Sequence, residues 1–265
     1  MPIAILNQTE RDAGVRIHYQ LDGDASLPVL VLSHSLGVAL DMWTPQISTL
    51  TPHFHLLRYD VRGHGGSSVP KGPYSVEDLG RDVVNLLGSL GIEQFSFCGL
   101  SMGGAIGQWI GLHVAGRLQK LVLANTAAKI GEEEIWNARI AQVNAEGLKP
   151  IIPGTLQRWF TSSFRETNSE VVSQTAATLE QMNVEGYVAC CAAVRDADFR
   201  VSIHKLNVPT LVISGAEDSA TPPVDGKYLA DHIKGASFQE LSAAHLSNVE
   251  AASDFNQHLL RFLLS

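Results

Sequence analysis

Short apolar runs recur along the chain, separated by stretches of helical period. Val29 to Leu32, Phe95 to Cys98, Leu121 to Ala124 and Thr210 to Ile213 are continuous and bounded by polar or turn residues. Runs of this kind suit strands covered on both faces, as in a parallel sheet. His55 to Tyr59 reads as a fifth such strand and Phe238 to Leu241 as a weaker one. Val15 to Leu21 alternates instead and runs into a Gly23-Asp24 turn, which predicts a half-exposed strand.

Helical patterns fill the gaps. Ser75 followed by Asp78 is a start signal, and the pattern it opens runs to Leu90 and stops at Gly91. Met102 to Val114 follows a strand directly, and Phe255 to Leu264 closes the chain. The alternation predicts an α/β fold: an open, mostly parallel, doubly wound sheet with helices on both faces. Residues 132–203 break the rhythm. They contain Trp136, Arg139, Trp159, Phe160 and Tyr187 but no buried-strand run. The expectation is a helical cap, or lid, at 132–203 inserted between two strands of a core made of 1–131 and 204–265. Ligands of open α/β sheets bind beyond the carboxyl ends of the strands, so such a lid would wall the pocket.

A chain of 265 residues can bury a sizeable core. Its net charge of −8 argues against a broad electrostatic grip on nucleic acid or on an anionic membrane. It leaves room for an anionic small molecule held by one local arginine. Cys98, Cys190 and Cys191 read as reduced, buried thiols, which suits a reducing compartment. Met1-Pro2-Ile3-Ala4 lacks the basic and apolar regions of a signal peptide, and no apolar stretch approaches the roughly 20 residues that span a bilayer. The expectation is a cytoplasmic protein. The pattern carries no signal for oligomeric state.

The candidate chemistry centres on Gly99-Leu100-Ser101-Met102-Gly103, a G-x-S-x-G between a predicted strand and a predicted helix. Glycines two residues either side relieve a turn too tight for side chains and expose the Ser101 hydroxyl. The helix that follows aims free N–H groups and its positive dipole end at the same place. A serine hydroxyl is a weak nucleophile and needs a base. His245 sits in a loop after the weak strand and before the last helix, whereas His258 falls inside that helix. The loop Ser214 to Pro223 follows another strand and offers Glu217 and Asp218 as carboxylates to orient the base. Asp60 to Ser67 is glycine-rich; Asp60 and Arg62 are expected to pair and brace it, and His34 to brace the loop after the first buried strand. No metal-ligand spacing appears, and no metal or organic cofactor is called for.

His34 to Gly37, Asp60 to Ser67, Gly99 to Gly104, Gly215 to Pro223 and His245 together resemble α/β-hydrolases. That resemblance implies the chain order nucleophile, acid, base, and selects Asp218, ahead of Thr221-Pro222, over Glu217. It implies an oxyanion hole from the backbone N–H of Met102 and one from the loop Ser33 to Gly37, for which Leu36 is the choice. The His34-Ser35 pair departs from the His-Gly of most relatives, so the identity of the loop donor stays open. Gly99 to Trp109, Leu121 to Gly131, Trp136 with Arg139, and His245 to Glu250 are similar to 3-oxoadipate enol-lactonases of aromatic catabolism. The implied substrate is a small lactone with a free carboxylate. Arg139 is the candidate partner for that carboxylate and Trp136 for the ring. Another small-molecule serine hydrolase of this fold (an esterase, a carbon–carbon bond hydrolase or a perhydrolase) and a non-catalytic ligand receptor stay open as alternatives.

Overall fold

The computed structural model describes residues 2–6 and 14–265. Met1, read above with the N-terminal stretch, lies outside them. In chain order the strands are Ile3–Leu6 (β1), Val15–Asp22 (β2), Val29–Ser33 (β3), His55–Tyr59 (β4), Phe95–Leu100 (β5), Leu118–Ala124 (β6), Thr210–Gly215 (β7) and Ser237–Leu241 (β8). The helices are Thr44–Leu50 (α1), Val76–Ser89 (α2), Met102–His113 (α3), Glu133–Glu146 (α4), Ile152–Trp159 (α5), Ser162–Thr167 (α6), Ser169–Glu180 (α7), Val184–Asp196 (α8), Pro223–His232 (α9), Ser247–Glu250 (α10) and Ala252–Leu263 (α11).

The strands form one sheet in the order β1-β2-β4-β3-β5-β6-β7-β8. From β4 to β8 all neighbours are parallel, and β2 joins β1 and β4 antiparallel. Val31 stands opposite Phe97, Phe97 opposite Leu121, and Leu121 opposite Thr210. Every residue of β5 and β7 is buried, which is why these strands read as unbroken apolar runs. α2 and α3 pack together, with α3 over β5 and β6, while α1 packs with α11, and Trp43, just before α1, meets Phe255 of α11. Ser75 caps α2 as expected. Its Oγ accepts from the Asp78 N–H at 3.1 Å, and an Asp78 carboxylate oxygen accepts from the Ser75 N–H at 2.9 Å.

The strand order carries the functional consequence. From β3 the chain passes to β4 on one side and, later, to β5 on the other. The crevice between the carboxyl ends of β3 and β5 is the topological switch point, where ligands of open α/β sheets bind. The loop after β3 and the Ser101 turn after β5 both open there. Five helices, α4 to α8, and no strand lie between β6 and β7 among the described residues. All three cysteines are free and buried. No helix of the described residues is long and apolar enough to cross a membrane.

Candidate active site

Ser101 occupies the junction of β5 and α3 with φ 59° and ψ −113°, a left-handed backbone that non-glycine residues rarely hold. The flanking glycines make this junction possible. A Cβ on Gly99 would lie 2.0 Å from the Gly103 carbonyl oxygen, and one on Gly103 would lie 2.2 Å from the Ser33 carbonyl oxygen. The turn is held from two sides: the Ser101 N–H donates to the Ala124 carbonyl at 2.9 Å, and the Thr126 hydroxyl donates to the Ser101 carbonyl at 2.9 Å. The Ser101 hydroxyl itself has no hydrogen-bond partner among the described residues.

Asp218 and His245 come from the loops after β7 and β8. The Asp218 carboxylate collects five donors. Oδ1 accepts from the N–H groups of Ala220 and Thr221 at 2.8 and 3.0 Å; Oδ2 accepts from Asn125 Nδ2, Thr221 Oγ1 and His245 Nδ1 at 2.9, 2.8 and 2.8 Å. Burial alone would push this carboxyl up. The adjacent His245 and the hydrogen bonds outweigh burial and hold it at about 2. An ionised carboxylate can only accept, so Nδ1 of His245 carries the proton and Nε2 is left as an acceptor. Glu217, the other acid of this loop, is exposed and does not share this network.

Asn125 is the residue that the sequence reading missed. It follows β6 directly at φ 44°, and its Nδ2 also donates to the Ala244 carbonyl at 3.2 Å while its Oδ1 accepts from Ser247 Oγ at 2.5 Å. One side chain thus ties the acid loop to both flanks of His245. The available signal was a polar residue directly after the buried run Leu121 to Ala124.

The loop after β3 packs against the first turn of α3, as the Gly103–Ser33 approach requires. The Met102 N–H begins α3 and has no intrahelical acceptor. The Leu36 N–H meets no acceptor among the described residues. Two buried histidines brace this loop. His34 Nδ1 donates to the Ser35 carbonyl at 2.7 Å, and its Nε2 accepts from the Val61 N–H at 2.9 Å, which makes it a neutral brace and not a second base. His64 Nε2 accepts from the Gly37 N–H at 3.0 Å. Burial, reinforced by His34, lowers His64 to about 3. An unfolded histidine titrates near 6.5. Between those values the unfolded chain binds a proton that the folded chain lacks, so stability is full above about 6.5 and falls on acidification. The expected slope is about 1.4 kcal/mol per pH unit for each such histidine. Urea unfolding of His64→Asn between pH 4.5 and 6 should have a slope shallower by that amount; an unchanged slope would remove His64 from this role.

Asp60 and Arg62 do not brace their loop as a pair. Asp60 accepts from His18 Nδ1 at 2.6 Å, from the Gly66 N–H at 2.8 Å and from the Leu40 N–H at 2.8 Å. Arg62 turns the other way and grips Asp82 of α2 with both Nε and Nη2 at 2.5 Å. Each thus finds its partner on another element: Asp60 on β2 and in its own glycine-rich turn, Arg62 on α2. Trp136 and Arg139 both lie on α4. Trp136 Nε1 donates to the Ile130 carbonyl at 2.6 Å and lies over Gly131, at the start of the inserted helices. Arg139 Nη1 donates to Thr155 Oγ1 on α5 at 3.2 Å.

A family model described as the alpha/beta hydrolase fold matches residues 28–252, and the chain belongs to the α/β-hydrolase family. Within that family it is 43% identical to 3-oxoadipate enol-lactonase 2 of Acinetobacter baylyi, over 97% of this chain and 96% of that protein. It is 37% identical to 3-oxoadipate enol-lactonase 1 of the same organism, over 95% and 94% of the two chains. The crystal structure of the enol-lactonase from Burkholderia xenovorans LB400 superposes with a TM-score of 0.96 at 41% identity, covering 100% of both chains.

Proposed function

We propose that this protein hydrolyses the ester bond of 3-oxoadipate enol-lactone to give 3-oxoadipate, as a cytoplasmic step in the breakdown of aromatic compounds. The observation that carries the reading is the hydroxyl of Ser101, unpartnered on a strained turn, at the same end of the sheet as a His245–Asp218 pair joined at 2.8 Å. Full-length similarity to named enol-lactonases supports the choice of substrate.

Ser101 Oγ attacks the lactone carbonyl carbon and passes its proton to His245 Nε2. Asp218 holds the imidazole in the required tautomer and stabilises its charged form. The carbonyl oxygen becomes an oxyanion between the N–H groups of Met102 and Leu36, where fixed dipoles need no reorganisation. Collapse breaks the ring carbon–oxygen bond and expels an enolate; the proton held by His245 passes to it, giving the ketone form and leaving the imidazole neutral. The open chain stays esterified to Ser101. Water, losing its proton to His245, attacks that ester; the acyl–Oγ bond breaks, Ser101 Oγ takes the proton back from His245, and the dicarboxylate is released. An enolate leaves readily, so donation of a proton to it matters less than in amide cleavage. Residues 132–203 serve as a cap over the site, with Trp136 beside the ring and Arg139 toward the free carboxylate, which a guanidinium can grip bidentately. The reaction uses no metal and no organic cofactor.

The test is the ratio of kcat/KM for the enol-lactone to that for p-nitrophenyl acetate. A ratio of several orders of magnitude is expected. A ratio below one would make the protein a general esterase, and turnover of neither with tight ligand binding would make it a receptor.

A further inference from the structure

Arg139 and Arg158 are two cations sharing one neutral acceptor. Thr155 Oγ1, on α5, receives Arg139 Nη1 at 3.2 Å and Arg158 Nη2 at 3.3 Å. Thr155 is buried and both arginines are half-buried. Neither guanidinium meets a carboxylate among the described residues, whereas the buried Arg58 and Arg62 each take an aspartate. Burial lowers Arg158 from its ordinary value, and the like charge of Arg139 lowers it further. Partly desolvated like charges held together without a counter-ion are unfavourable on their own. An arriving anion would relieve the repulsion.

The pair is tied to both sides of the candidate active site. The ring of Tyr187 and the ring of Trp159 stand 3.3 and 3.4 Å from the place a Cβ on Gly37 would occupy, beside Leu36. The charge of the nearby Arg139 guanidinium acts on the hydroxyl of the same Tyr187. On the other side, the N–H of Leu246, which follows His245, donates to the carbonyl of Trp159 at 3.0 Å. Trp159 follows Arg158 and ends α5. Arg139 therefore lies near the tyrosine that packs on the Leu36 loop, and Arg158 sits on a helix pinned next to His245.

We propose that Arg158 is a second specificity-determining residue, which with Arg139 forms a two-guanidinium clamp for a carboxylate remote from the scissile carbonyl. The inference rests on the reading of Ser101 and His245 as the hydrolytic pair, and it names the substrate class that pair serves: lactones and esters bearing a free carboxylate. A monoanion between two guanidinium groups neutralises half of their charge and replaces the shared hydroxyl with charge-assisted hydrogen bonds.

The experiment measures kcat and KM of wild type, Arg158→Gln, Arg158→Lys and Arg139→Gln on the enol-lactone and on p-nitrophenyl acetate. It adds inhibition of the aryl-ester reaction by adipate and by dimethyl adipate. For Arg158→Gln the expected result is an increase in lactone KM of about tenfold or more, the loss of one charged hydrogen bond. The kcat for the lactone should change much less, adipate inhibition should weaken by a similar factor, and dimethyl adipate should inhibit neither protein appreciably. Arg158→Lys keeps the charge and should recover part of the loss, which also guards against a Gln variant that folds poorly. An unchanged lactone KM and unchanged adipate inhibition in Arg158→Gln, or equal losses on both substrates, would overturn the clamp. A wild-type protein that adipate inhibits through Arg158 but that does not open the lactone would instead overturn the proposed substrate and leave the clamp standing.

Discussion

Ser101→Ala lowers kcat for the lactone by a factor on the order of 10⁶, the scale of the loss when a triad protease loses its nucleophile. The fold should be almost untouched, because the Ser101 hydroxyl gives up no hydrogen bond among the described residues. The strain at φ 59° belongs to the backbone and is shared by serine and alanine, so it does not change with the substitution. His245→Ala should cost about as much, and the double variant little more than either single one, since nucleophile and base act as a unit. What survives is the oxyanion site and substrate binding, which act without the serine. Single-turnover kinetics with a parallel thermal melt checks this. A rate near wild type in either variant, with the melt unchanged, would dismantle the acyl-enzyme mechanism.

The features that sequence exposed were those in which one local rule decides the structure. β3, β5, β6 and β7 are covered on both faces, so burial wrote continuous apolar runs into the chain. The same pressure failed to mark β1. Ile3 and Ile5 are 51% and 59% exposed, and four residues with only Ala4 and Leu6 buried make too short an alternation to read. The Ser101 turn is legible because steric closeness excludes every residue but glycine at two fixed offsets. His245 and the acid loop are legible because each follows a strand, while the choice of Asp218 over its neighbour Glu217 came from the family resemblance. Long-range polar pairing leaves no such trace. Arg62 takes Asp82 across a helix, not Asp60 two positions away, and the choice depends on tertiary position alone. Asn125 was given no role of its own, because nothing local shows that its side chain reaches Asp218. Arg158 lies inside the segment read only as a helical cap, and its meeting with Arg139 joins two different helices, which no periodicity within one helix announces.

Asp82→Ala is the substitution expected to cost most stability. The Arg62 and Asp82 side chains are 5% and 2% exposed, and their two-pronged contact joins the loop after β4 to α2. Removing the carboxylate leaves a buried guanidinium whose desolvation is no longer offset, a loss of about 3–5 kcal/mol. That is a large part of the roughly 5–15 kcal/mol that holds a typical domain together. Because the pair is buried, added salt should change the loss little. The cost comes from orphaning a charge and not from the worth of the pair, so Arg62→Met combined with Asp82→Leu should be less destabilised than Asp82→Ala alone. Urea unfolding of the three variants, read by linear extrapolation, separates these terms. The effect should also reach catalysis. Arg62 precedes His64 by two positions, and His64 accepts from the Gly37 N–H beside Leu36. A loosened Arg62 therefore slackens the brace on the proposed oxyanion donor, and turnover should fall through kcat more than through KM. A loss below about 1 kcal/mol for Asp82→Ala, the worth of an exposed pair, would mean that water reaches Arg62 and that the loop is held by other contacts.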